Sequence, residues 1–451
     1  MKITKNLFGI AALSLCLGFA SCSDDDDLLY SEGQVTNNEL RTVLEQNGLH
    51  FDEQGHLLLD EAANNLKALD LSGKKISDYK ELAVLPNLTE LNLSNNEFGP
   101  TFDFSILPAQ ITAVDLTGNE IYEFKNLVNI ETAENGEENV TLVRDMAKLY
   151  LPESAKHNCV EIPSYFTTDK EVDMKMGNAP YTTLREVPDA TVREMLQELY
   201  PSLFNKDGKI DLSARMAKAN ERAANLNISM WTLPDGKTVS DVEGVQYVVM
   251  NPSFRAGMVW FETTKECTIP YLKLNPSTTY FEIHGVNTPN LDITPAKDLM
   301  AIKIHKNNDV ENIDLTQCTQ MGQRSLEVES EVGTASQIEL ISCANLKSIT
   351  LPKKAYYIYR INVEDSPLLE NFDFSQLKLV TALGFCSLPK CKLNYLTFDE
   401  DLLAKIKCQF ATSEDFYNSN KETKAFLDKY HEKMFSGNTY TGGFFLWERL
   451  Y

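Results

Sequence analysis

Nine cysteines and six histidines are the side chains of this 451-residue chain with most chemistry to offer. The cysteines are Cys16, Cys22, Cys159, Cys267, Cys318, Cys343, Cys386, Cys391 and Cys408. The histidines are His50, His56, His157, His284, His305 and His431. No H-E-x-x-H places two of them on one helix face for zinc catalysis. A tetrahedral structural metal needs four ligands at close spacing. Cys386, Cys391 and Cys408 supply three thiols, with no histidine near them. Three readings of the seven cysteines after Cys22 stay open: packed apolar thiols, disulfides in an exported chain, or a metal site short of a ligand. The reading carried forward has no metal and no cofactor.

Catalytic motifs fail on spacing. No G-x-S-x-G turn raises a serine nucleophile. Gly236-Lys237-Thr238 imitates the end of a phosphate loop, but Trp231 stands where its first glycine belongs. Asn205-Lys206-Asp207-Gly208 imitates a calcium loop, but Leu203 occupies the first ligand position. Both stretches read as turns. Acidic residues are too many for a catalytic carboxylate pair to be picked by type. No enzyme is expected. A net charge of −23 argues against nucleic acid, whose phosphates are neutralised by Lys and Arg.

One cysteine has a specific context. Lys2 and Lys5 precede an apolar run of 14 residues, Leu7 to Ala20, broken only by Ser14. That is a secretory signal, too short to span a bilayer. It ends Phe19-Ala20-Ser21-Cys22. The order resembles the lipobox of bacterial lipoproteins, which implies that Cys22 is diacylated and becomes the first mature residue. Ser23 and the acids Asp24 to Asp27 resemble the surface-export signal of lipoproteins of the phylum Bacteroidota. The resemblance implies an outer-membrane protein, held by its lipid and facing outward. Residues 1–21 are read as signal peptide and 22–34 as an acidic tether.

The elements that would position any site come from a repeat. LKALDLSGKKI from Leu66, LTELNLSNNEF from Leu88 and ITAVDLTGNEI from Ile111 start 22 and 23 residues apart. Each follows L-x-x-L-x-L-x-x-N-x-L, with Asn96 and Asn119 at the polar position and Lys74 replacing it in the first copy. This is similar to the leucine-rich repeat family. There the L-x-L pair is a short strand, and the Asn satisfies backbone groups where the chain turns. One such unit cannot bury its apolar face alone, so neighbours stack. Met146, Leu149, Leu151 and Pro152 give a fourth copy. Asn37 to Gln46 reads as a capping helix with Leu40, Val43 and Leu44 on one face. A capped domain over 35–166 and a polar linker over 167–188 follow.

Residues 189–451 repeat the design. Asp189 can cap a helix bearing Val192, Met195 and Leu196, and Phe204 to Leu212 parallels Phe51 to Leu59 around a glycine. Further on, Ile302, Ile304, Val310, Ile313 and Leu315 match Ile338, Leu340, Leu346, Ile349 and Leu351, and again Ile361, Val363, Leu369, Phe372 and Phe374. Cys343 to Pro352 resembles the BspA-like repeats of bacterial surface proteins, without their A-F pair before the cysteine. Asn420 to Phe435 reads as a final cap, with Phe444, Phe445, Trp447 and Tyr451 sealing the end. The expected fold class is an α/β repeat solenoid: leucine-rich repeat arrays of short parallel strands, an irregular convex side and helical caps.

In such an array the strand positions between the apolar ones face outward on the concave side. These are Asp70, Asn92, Asp115 and Tyr150, then Asp314, Thr350, Asp373 and Thr397, flanked by Asn312, Asn371 and Tyr395. They are the candidate ligand contacts. The aromatics Trp260, Phe261, Tyr271, Tyr280 and Phe281 either stack on sugar rings or fill the core. The expected function is a non-catalytic cell-surface lipoprotein that binds a protein or host ligand through its concave face. The alternative is a glycan-binding accessory lipoprotein of a polysaccharide uptake system.

Overall fold

The computed structural model describes residues 28–76, 78–132, 138–168, 171–323, 336–386, 392–394, 409–412, 418–435 and 443–446. Cys22, Cys391, Tyr395, Thr397, Cys408, Trp447 and Tyr451 lie outside the described residues, as does the whole of 1–21. The fold is mixed α/β, with many short parallel strands in sheets and few helices. It divides into two compact units between Thr183 and Leu184.

The first unit is built on a six-stranded sheet. Strands Ala68–Asp70, Glu90–Asn92, Ala113–Asp115, Lys148–Leu151 and Asp173–Met176 run parallel in that order, and Ala179–Pro180 adds an antiparallel edge. The register aligns the repeat template: Leu69, Leu91, Val114, Leu149 and Met174 stand side by side. All five are buried, because alternate residues of a strand point to one face. The template asparagines tie one copy to the next. Asn96 donates through Nδ2 to the carbonyl of Leu71 at 2.9 Å, and its Oδ1 accepts the amide of Lys75 at 2.8 Å. Asn119 repeats the pattern with the carbonyl of Leu93 (3.1 Å) and the amide of Asn96 (2.9 Å). A buried amide side chain thus satisfies backbone groups that no ladder partner reaches.

The unit opens with a strand, Tyr30–Gln34, paired antiparallel to His56–Leu58. Between them lies the helix Asn38–Gln46, where Asn37 Oδ1 accepts the amides of Glu39 and Leu40 at 3.0 Å. Leu40, Val43 and Leu44 enter the same core as Leu69 and Leu71.

The second unit opens in the same way. Strand Leu184–Arg185 pairs antiparallel to Ile210–Asp211, and Asp189 caps the helix Ala190–Leu199. The two openings share a turn atom for atom. Asp52 Oδ1 accepts the amides of Gln54 (2.9 Å) and His56 (2.8 Å), and Asn205 Oδ1 accepts those of Asp207 and Lys209 (both 3.0 Å). Gly55 and Gly208 close these turns at φ +92° and +77°, where a side chain would be strained.

Elements of the structure fall inside two of the segments expected to lack them. The tether expected over 22–34 gives way to strand at Tyr30, and the linker expected over 167–188 contains folded elements. Helix Glu161–Thr168 ends inside it, Asp173–Met176 is the fifth parallel strand, and Leu184–Arg185 begins the second unit. These strands have two to five residues. Pairing with distant partners creates them, and no local periodicity of that length stands out.

Beyond its opening, the second unit has a nine-stranded, wholly parallel sheet. Its strands are Leu226–Ile228, Met258–Thr268, Tyr280–Asn287, Ala301–His305, Gln337–Ile341, Tyr357–Glu364, Leu379–Cys386, Gln409–Thr412 and Gly443–Leu446. From Ala301–His305 to Gln409–Thr412 the chain adds, between successive members, a strand to a four-stranded parallel sheet: Asn312–Asp314, Ser348–Thr350, Asn371–Asp373 and Lys392–Asn394. Each matched copy therefore carries two strands where the template marked one. Ile302 and Ile304 belong to the large sheet and Ile313 to the small one, and all three are buried. The helix Lys421–Phe435 follows, burying Phe426 and Tyr430.

Candidate functional site

The expected contacts of the first unit fall in one row. Asp70, Asn92, Asp115 and Tyr150 are consecutive neighbours across the sheet, followed by Lys175. Three of them also have a structural task. Asp70 Oδ1 accepts the amide of Ser72 (2.9 Å), Asn92 Oδ1 that of Ser94 (3.0 Å) and Asp115 Oδ1 that of Thr117 (2.9 Å). One oxygen of each closes the turn after its strand. The Ser72 amide accordingly holds the Asp70 carboxyl below its ordinary range. Tyr150 is different. Its hydroxyl donates to Asp173 Oδ2 at 2.7 Å, and its ring lies between Lys148 Nζ (4.6 Å) and Lys175 Nζ (4.5 Å).

Asp314 and Asp373 sit on the four-stranded sheet, opposite Thr350 and Asn394 respectively. Their Oδ1 atoms accept the amides of Thr316 (2.9 Å) and Ser375 (2.8 Å), the same turn closure again. Strand alternation splits the aromatic group. Phe261 and Phe281 are fully buried and Tyr271 nearly so, whereas Trp260 and Tyr280 stand on the opposite face of the large sheet, ring centroids 6.5 Å apart.

That opposite face carries a network of paired charges that spacing alone did not single out. Asn227, Trp260, Glu282, Lys303, Glu339 and Asn362 form one row in register. Glu262, His284, His305, Ile341 and Glu364 form the next. Lys303 Nζ lies 3.5 Å from Glu282 and 3.3 Å from Glu339, and Arg360 Nη1 lies 3.4 Å from Glu339. His284 bridges Glu262 (3.5 Å) and Glu282 (2.8 Å), and Tyr280 donates its hydroxyl to Glu282.

These charges are largely withdrawn from water: the side chains of Glu282 and Lys303 are 5% and 16% exposed. Burial alone would raise the Glu282 carboxyl, but hydrogen bonds from His284 and Tyr280 and the charge of Lys303 hold it below its ordinary value. Burial would likewise lower the Lys303 ammonium, and Glu339 and Glu282 reverse that. At His305 only Glu282 pulls the other way, and too weakly. Burial, then the neighbouring His284, pushes it down to about 3, so its ring is neutral.

Five shielded atoms on this face make no well-aligned hydrogen bond to the described residues: Asn227 Oδ1, Trp260 Nε1, His284 Nε2, His305 Nε2 and Asn362 Oδ1, of which His284 Nε2 still lies 2.8 Å from Glu282. Beside them, just past the first strand of the sheet, Met230 and Trp231 are 69% and 76% exposed, and the Met230 amide donates to Glu262. The signal for this face was present in the sequence. Lys303, Glu339 and Asn362 each stand between two matched apolar residues, the alternation of a half-buried strand.

Among the described residues no three His, Cys, Asp or Glu side chains form a metal-holding group, and no helix is long and apolar enough to cross a membrane. Cys318 and Cys343 are buried free thiols, Cys267 is a partly buried one, and Cys159 is buried with its Sγ 3.4 Å from the His157 carbonyl. The chain matches no protein-family model and no curated protein.

Proposed function

We propose that this chain is a non-catalytic, cell-surface lipoprotein whose two units are leucine-rich repeat solenoids, the second partly BspA-like. It recognises a protein or host ligand through the polar rows of its parallel sheets. The observation that carries the reading is the register of the repeats: template positions from successive copies stand side by side, leaving rows of outward side chains free of core duty. The Asn96 and Asn119 contacts across copies support the same assignment. The N-terminal order of charge, apolar run, small residues, Cys22 and four acids supports acylation and outward display at the outer membrane.

Protease shaving of intact cells tests the location. The expected result is cleavage of the chain while the outer membrane is whole, and release from the membrane fraction on Cys22→Ala. Protection until that membrane is broken overturns it. Partner capture tests the face: Tyr150→Ala, which leaves the turns intact, should weaken capture of a protein ligand.

A second reading, a glycan-binding accessory lipoprotein, is favoured by one observation. Trp231 is 76% exposed just past the first strand of the large sheet, and Trp260 stands on the face that carries Glu282 and Glu339 instead of joining Phe261 and Phe281 in the core.

A further inference from the structure

Two departures from the repeat pattern meet at one place in the second unit. Leu226 to Ser229 parallels Leu69 to Ser72, and the buried Val239 parallels the buried Ile76. Three residues, Gly73 to Lys75, join those positions in the first unit; nine, Met230 to Thr238, join them in the second. The next strand, Met258–Thr268, breaks its register at the same level. The five steps from Glu262 to Cys267 face the two from His284 to Val286, a bulge of three extra residues. Bulges re-aim side chains beside functional surfaces.

The longer loop is fixed in place. The Ser229 carbonyl accepts the amides of Thr232 (2.9 Å) and Leu233 (3.0 Å), and Thr232 Oγ1 accepts the Ser229 amide (3.0 Å). The bulged strand staples both ends: Glu262 accepts the Met230 amide, and the Val239 carbonyl accepts the Thr264 amide at 2.8 Å. So held, Met230 and Trp231 are the most exposed large apolar side chains among the described residues. Adjacent apolar side chains displayed on a fixed loop mark an interaction surface. Tryptophan is among the residue types that most often anchor one.

Charge selects the partner. Residues 229–241 and the bulged strand carry Asp235, Asp241, Glu262 and Glu266 against Lys237 and Lys265, in a chain of net charge −23. A second copy or an acidic partner is repelled. Tips that enter membranes set Lys and Arg beside their aromatics, the reverse of this surround. A cation is drawn both to the carboxylates and to the indole face, and methionine packs on varied apolar shapes. We infer that the Met230–Trp231 loop docks a basic, amphipathic segment of another protein. Its apolar side chains cover Met230 and Trp231, and its Lys or Arg side chains meet the indole face and the surrounding acids. The inference rests on the protein-binding reading above and adds to it a second, separate surface.

The test titrates the purified full-length mature chain with basic amphipathic peptides patterned Leu/Lys and Leu/Arg, read by tryptophan fluorescence and calorimetry. Leu/Glu peptides of the same pattern, Ser/Lys peptides of the same charge, neutral oligosaccharides and phosphatidylethanolamine–phosphatidylglycerol vesicles are the rival probes. At least one basic amphipathic peptide should bind with a dissociation constant below about 100 μM at low salt, and severalfold more weakly at about 300 mM salt. Trp231→Ala should weaken it about tenfold and Met230→Ser severalfold. Melting temperatures should not change, because both side chains are exposed. The inference is overturned if none of these peptides binds at about 100 μM, or if binding survives Trp231→Ala. It is equally overturned if an acidic peptide, a saccharide or a vesicle binds through Trp231 instead, or if Ser/Lys peptides bind as well, since charge alone would then suffice. Peptide binding in a chain whose ligand capture ignores Tyr150→Ala overturns only the first-unit face. Capture lost on Tyr150→Ala in a chain without peptide affinity overturns only this inference.

Discussion

His305 stacks on His284 with ring centroids 4.1 Å apart and planes 18° from parallel. The pair sits beside a row of paired charges, yet only His284 has carboxylates within 3.5 Å; the nearest to His305 Nε2 is Glu339 at 3.9 Å. A positive charge on His305 would be desolvated by burial and opposed by the neighbouring His284, so His305 stays neutral.

Acid should therefore destabilise the chain through His305. Its folded pKa of about 3 lies below the ordinary 6.5. Between those values the unfolded state binds a proton that the folded state refuses, so stability falls as pH falls, by up to ~1.4 kcal/mol per pH unit. Above about pH 6.5 the contribution is flat. Carboxyls held low, such as Glu282, add their own loss only below about 4.5. Urea unfolding of the natural chain and of His305→Gln at about pH 7.5 and 5 checks this: the natural chain should lose more stability than the variant. Equal losses would contradict the neutral assignment.

The asparagine ties should be costly to cut. Asn119 makes contacts to the carbonyls of Leu93 and Leu116 and to the amides of Asn96 and Phe98. Asn119→Ala strands several buried backbone groups and should cost about 2–4 kcal/mol in chemical denaturation. Asn119→Asp keeps the acceptor, but it loses the donor and buries a charge, so it should be no milder.

Two glycines separate backbone strain from crowding. Gly48 at φ +83° has no atom within 4 Å of an added Cβ, whereas Gly118 at φ +72° would place one 2.1 Å from Asn95 Oδ1. Gly48→Ala should cost about 1–2 kcal/mol from the left-handed backbone alone. Gly118→Ala should cost more by denaturant midpoint. A smaller cost would mean that Asn95 swings away freely.

The packed thiols should be inert. Burial pushes Cys318 and Cys343 up to about 12, leaving almost no thiolate near neutrality. Iodoacetamide near pH 8 should leave both unmodified in the folded chain and alkylate them in urea, as read by peptide mass spectrometry. Stoichiometric labelling of native Cys343 would show that the site opens readily.

Much of the architecture was legible because repetition amplifies weak signals. Leu69, Leu91 and Val114 each belong to a template that one copy alone could not have established. The glycine turns at Gly55 and Gly208 were legible for the same reason, as two copies of one design. Asp173–Met176 was not, since four residues with two methionines match no template. The candidate contacts were placed in rows by their spacing. That Asp70, Asn92 and Asp115 each close a turn was hidden, because a carboxylate or amide that caps a backbone amide reads in sequence like one that awaits a ligand.

By itself the sequence determined which side chains point inward and how far apart the copies lie, since both follow from local periodicity. Only the tertiary structure decided that each late copy carries two strands, and that Trp260, Glu282, Lys303 and Glu339 become neighbours. These residues are 21 to 36 positions apart in successive copies. Hydrogen-bonded register between parallel strands brings them together, and that pairing is a property of the folded sheet rather than of any one segment.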